Sequence, residues 1–178
     1  MKRHLKNYLR KLRYSEAGNA TIEFVIVFPL MVGLLLSGFE LGFVSLHQGM
    51  LERAVDITVR DIKLGTGAQL QHDAIKQTIC ERAQFIKNCD ENMRLEMIQQ
   101  NPRVGIFIPS TADCTDKSEE VKPVRSFENG QSNDLMILRA CVKISPIFPT
   151  STLGRKISDN ADKQYALVAM SAFVQEPR

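Results

Sequence analysis

The chain has no Trp, three Tyr and three His among 178 residues, and no Cys-x-x-Cys pair. The three histidines, His4, His47 and His72, are not spaced with the cysteines as zinc ligands would be, so no metal site is expected. His72-Asp73 stands at a predicted helix start, where such a pair reads as a cap and a surface residue; no Ser/His/Asp set accompanies it. Gly65-Thr66-Gly67 lacks the lysine of a phosphate loop and follows no strand, so a nucleotide cofactor has no cradle. Residues 24–39 contain no charged side chain. A net excess of basic charge is confined to the N-terminus. Residues 1–17 hold Lys2, Arg3, Lys6, Arg10, Lys11 and Arg13 against Glu16, which leaves the rest of a +3 chain slightly acidic. A nucleic-acid binder would gather Lys and Arg on its folded part, so nucleic acid is not an expected partner. The expectation is a protein that is not an enzyme and has no cofactor and no small-molecule substrate.

What is present is a long apolar run directly behind the basic tail. Phe24–Phe39 continues through Leu41, Phe43, Val44 and Leu46, broken by Glu40. About 20 residues at ~1.5 Å each cross a hydrocarbon core of ~30 Å, and a basic flank stays on the cytoplasmic side. Pro29, Gly33 and Gly38 would weaken such a helix in water but are tolerated in a bilayer. From Leu46 the apolar residues recur at helical spacing, with Glu52, Asp56 and Asp61 among the charges between them, until Leu64-Gly65-Thr66-Gly67 signals a stop. One helix over 19–64, apolar all round and then amphipathic, is therefore expected. It would sit with its N-terminus inside the cell and the remainder of the chain, 65–178, outside.

The remainder reads as α+β. A second helix is expected over about 68–87, with Leu70, Ala74, Ile75, Ile79, Ala83 and Ile86 on its apolar stripe. Met93–Met97 alternates as a half-buried strand does, Val104–Ile108 is a short apolar run ended by Pro109, and 111–133 is a polar loop. Leu135–Ile144 and Tyr165–Val174 are the strongest strand candidates. The expected fold class is thus a long transmembrane and amphipathic helix, a second helix, and a small antiparallel sheet of three or four strands.

One short stretch carries chemistry. Gly18-Asn19-Ala20-Thr21-Ile22-Glu23-Phe24 ends the basic leader with a glycine and places a lone carboxylate five residues later, inside the apolar segment. A carboxylate there is costly unless it finds a partner. Cleavage after Gly18 would give Asn19 a new α-amino group, and in a stack of such helices Glu23 of one subunit can meet the amine of another.

This leader resembles the class III signal of type IV pilins, in particular the Gly-xxxx-Glu-Tyr/Phe pattern of the tight-adherence (Tad, or Flp) pilus family. Phe24 stands where Tyr is more usual. Phe28-Pro29 before an apolar run, the stretch Leu138–Ile144, and the ending Phe173-Val174-Gln175-Glu176-Pro177 are similar to TadE/TadF-like pseudopilins. The similarity covers about 18–46 and 135–177. It implies a minor pilin or pseudopilin of a Tad type IVb pilus, cut by a prepilin peptidase between Gly18 and Asn19 on the cytoplasmic side. Residues 1–18 would be a removed leader, and Glu23 and Phe24 assembly residues. The implied partners are the inner membrane, the peptidase, other pilins and pseudopilins, and the Tad assembly platform. The alternative is an uncleaved membrane-anchored scaffold of the same system. Export would place Cys80, Cys89, Cys114 and Cys141 in an oxidising compartment and make two disulfides the default. Three pairings are open to sequence alone. Cys80–Cys89, close together around the end of the second helix, and Cys114–Cys141, loop to strand, are the expected ones.

Overall fold

The computed structural model describes residues 19–64, 71–109, 112, 114, 127–158 and 163–176. The leader, including Gly18, lies outside the described residues, as do Leu70 and most of the polar stretch 111–126. The first element, α1, runs from Asn19 to Lys63, 45 residues with Pro29 inside it. At ~1.5 Å per residue it is about 67 Å long. Its two halves differ as their compositions require. Residues 20–35 are almost wholly exposed, whereas Leu51, Ala54, Val55, Val59 and Ile62 are buried at spacings of three and four residues. Those spacings gather them into one stripe that packs on the rest of the fold.

Then come α2 (His72–Arg82), a single turn α3 (Cys89–Asn92), strands β1 (Met93–Gln100) and β2 (Leu135–Ile144), a short α4 (Thr152–Ile157), and β3 (Tyr165–Val174). The three strands form an antiparallel sheet in the order β1-β2-β3. One face meets α1 and α2. Met97, Leu138 and Ser171 lie in register across it, as do Leu95, Ala140 and Ala169. Burial along β3 alternates residue by residue, because α1 covers one side and leaves Val168, Met170 and Val174 on the other exposed. Central β2 is buried almost continuously. On its second face Cys141 is bonded to Cys114, and the Arg139 guanidinium reaches the carbonyl of Pro109.

One expectation needs correction, and two short helices stand outside the expected elements. The second helix stops at Arg82 rather than at 87. Ala83 leaves helical geometry, with ψ at 52°, yet Ala83 and Ile86 remain in the core. The apolar stripe therefore continues past the helix that began it. Val104–Ile108 is no strand. The chain turns tightly there, with an isolated antiparallel bridge from Asn101 to Gly105, whose φ of +129° suits glycine alone. Of those two helices, α3 follows Asn88 in the left-handed region, a conformation Asn tolerates. The other, α4, starts at Ser151, whose hydroxyl accepts the Gly154 N–H at 2.9 Å.

Candidate functional site

Glu23 and Phe24 sit in the first turns of α1, on the exposed apolar half. Phe24 is 61% exposed and stacks on Phe28 one turn later, with ring centroids 5.0 Å apart. Glu23 is exposed and makes no hydrogen bond or ion pair with another described residue. Asn19 begins the helix backbone, and Gly18 falls outside the described residues. The structure thus keeps Glu23 and Phe24 far along α1 from Cys80, Cys89, Cys114 and Cys141, which belong to the packed part. There the sulfurs join Cys80 to Cys89 and Cys114 to Cys141, with Cα atoms 5.5 and 5.2 Å apart. The first bridge ties the end of α2 to α3. The second holds the segment after β1 against β2.

In the sequence Glu40 stands only as a break in the apolar run. In the structure it is the first fully buried residue of α1. Its Oε1 accepts the N–H of Ile147 at 3.0 Å and its Oε2 that of Phe148 at 2.8 Å. These donors lie in Ser145-Pro146-Ile147-Phe148-Pro149. Neither proline has an N–H, so the two amides between them are the donors that stretch must satisfy, and one carboxylate takes both. A charged acceptor makes such bonds stronger than neutral ones. Tyr165, at the start of β3, feels the same group: burial, and then the Glu40 charge, push its phenol above the usual range. The signal in the sequence was a solitary acid in an apolar run, but its partners lie more than a hundred residues away.

Further along, α1 runs parallel to β3. The Gln48 amide donates to the carbonyl of Val168 at 3.0 Å, and Lys63 lies 3.7 Å from Glu176. Arg82 of α2 bridges back to α1, donating to Thr58 Oγ1 at 3.2 Å and to Asp61 Oδ2 at 2.5 Å. Beneath the other face of the sheet Arg139 and Glu96 form a buried ion pair, whose guanidinium also donates to the Pro109 carbonyl at 2.8 Å. On the exposed half of α1 the Ser37 hydroxyl donates to the Gly33 carbonyl at 2.8 Å, so that polar side chain is satisfied within the helix.

Helix and head together define a class: one helix, long and apolar enough to cross a membrane, whose second half is the backbone of a small α+β head. That the apolar half is not packed inside the fold separates it from a core helix. Within this class, residues 18–60 match the family model described as TadE-like protein. The match starts at Gly18 and ends within α1, so it spans Glu23, Phe24 and Glu40 and none of the sheet. No curated protein and no solved structure matches the chain.

Proposed function

We propose that this protein is a minor pilin or pseudopilin that acts in assembling a Tad (Flp) type IVb pilus, and not an enzyme. One observation carries the reading: the TadE-like match begins at Gly18 and covers a helix whose first half is apolar and uncovered by its own fold. On this reading 1–18 is a cytoplasmic leader that prepilin peptidase removes after Gly18. Residues 19–39 cross the inner membrane, and the head lies outside. An apolar helix that its own head leaves bare has two fitting environments, lipid before assembly and neighbouring helices after it. Glu23, which finds no partner within its own described chain, supplies the polar contact that fixes register between subunits. The other pilins, pseudopilins and the assembly platform are the partners this requires.

The test is complementation of a deletion strain. Wild-type protein restores surface pili, and Gly18→Leu accumulates as a longer precursor without restoring them. Full piliation by an uncut Gly18→Leu chain would assign the protein to an uncleaved scaffold instead.

A further inference from the structure

The Glu40 clamp has a consequence for where the head lies. Asn19–Phe39 is 21 residues, roughly 31 Å of helix, about the thickness of a hydrocarbon core. Glu40 therefore falls at its outer boundary. The loop holding Ile147 and Phe148 is hydrogen-bonded to that carboxylate, so it lies at the same level. This end of the head is its floor, because β2 finishes there at Ile144 and β3 starts there at Tyr165. Ile147 is 44% exposed on it, and Pro149 is exposed beside it. Past Glu40, the open side of α1 still shows Leu41, Phe43 and Leu46 to the surroundings. Apolar helix surface thus continues above the level of the floor. A head held clear of the bilayer would leave all of that surface in water.

Among the described residues this end of the head also carries exposed cations. Arg155 and Lys156 in the last turn of α4 are exposed, as is Lys163 just before β3; Asp159 and Asp162 lie outside the described residues. Cations at this depth meet lipid phosphates, and anionic lipids attract them. Gly154 makes the arrangement possible. A Cβ there would overlap the carbonyl of Phe148, so glycine lets α4 press onto the clamped loop.

We propose that this floor is a lipid-docking surface: Ile147 and Pro149 enter the headgroup region while Arg155 and Lys156 contact anionic headgroups, and Glu40 holds the loop at that depth. Taking both N–H groups lets the carboxylate itself sit at the membrane boundary, where an unpartnered charge is costly. The inference rests on the reading of α1 as a membrane span. It adds that the head lies on the bilayer rather than standing off it.

The chain contains no Trp, so one introduced indole reports its own depth. The full chain carrying Ile147→Trp is reconstituted in phosphatidylcholine vesicles, with and without phosphatidylglycerol, containing lipids brominated at the headgroup end of the acyl chain. Phe28→Trp, within the span, and Val174→Trp, at the far end of β3, are the two references. Ile147→Trp should emit at shorter wavelength than Val174→Trp and be quenched by bromine, while Val174→Trp is not. With Arg155→Glu and Lys156→Glu added, quenching in the phosphatidylglycerol mixture should fall to its level in phosphatidylcholine alone. If Ile147→Trp disturbs the head, as judged by loss of either disulfide, Pro149→Trp takes its place. A quenched Phe28→Trp with an indole at 147 or 149 that behaves like Val174→Trp overturns the docking surface and leaves the span standing. An unquenched Phe28→Trp overturns both. Quenching of the floor indole that ignores the charge reversals overturns the role given to Arg155 and Lys156.

Discussion

The Glu40 carboxylate accepts the backbone N–H of Phe148, 108 residues further along the chain, at 2.8 Å, and the same carboxylate holds Ile147. Helix and head are therefore joined at Glu40 by a charge, and further along by the apolar stripe from Leu51 to Ile62. Glu40→Ala strands two amides and should destabilise the head by about 1–3 kcal/mol per unsatisfied group. Glu40→Gln keeps one acceptor oxygen and should lie between Ala and wild type. Hydrogen exchange across 145–151 measures this directly: protection there should fall before it does in β1. Unchanged protection in Glu40→Ala would mean the loop is held by packing alone.

The two disulfides should differ in value. Cys114–Cys141 closes a span of 27 residues and Cys80–Cys89 one of 9. If chain entropy governs, each contributes about 2–4 kcal/mol, and the longer loop contributes about 1 kcal/mol more. Urea unfolding of the Cys→Ser pairs gives the comparison. A larger loss from the Cys80 and Cys89 pair would show that anchoring α3 matters more than loop length.

Breaking the Glu96–Arg139 pair from one side should cost more than removing it whole. Arg139→Met leaves a buried carboxylate without its cation, a loss of about 3–5 kcal/mol, whereas Glu96→Met with Arg139→Met should fall well short of that. Arg139 also holds the Pro109 carbonyl, so the double variant retains a penalty from that oxygen. A double variant as damaged as the single one would assign the cost to the Pro109 contact.

What the sequence disclosed and what it hid follow from how far apart the cooperating residues lie. An uncharged run from Phe24 to Phe39 and the spacing of Leu51, Ala54, Val55, Val59 and Ile62 are local patterns, and α1 was legible from them. The alternation in Tyr165–Val174 is local too. The end of α2 was misjudged because Ala83 and Ile86 stay buried after the backbone has left the helix, so burial periodicity outlasts the hydrogen bonding. Val104–Ile108 is an apolar run, yet Val104, Ile106 and Phe107 are exposed around a turn. At the site, Glu23 and its leader context were visible as a contiguous motif. The role of Glu40 was not, because its partners are backbone amides in a distant loop whose two prolines carry no message about a carboxylate in α1.

Glu23 should matter after insertion rather than before it. A charge at the centre of a membrane helix costs roughly 2.5–3.5 kcal/mol, less toward an end, so an anchor without an assembly role would be better served by Val. Glu23→Val should leave export, cleavage and both disulfides intact and abolish piliation or incorporation. Glu23→Asp, with less reach, should be partial. Pilus yield is compared between strains matched for the amount of cleaved protein. Normal yield from Glu23→Val would remove the carboxylate from the assembly mechanism.

In the proposed function Gly18 ends a leader and Asn19 begins the working subunit. Mass spectrometry of the protein isolated from membranes and sheared pili of its host tests it most directly. The expected chain starts at Asn19, carries two disulfides and is otherwise uncut. A protein that still begins at Met1 would contradict it.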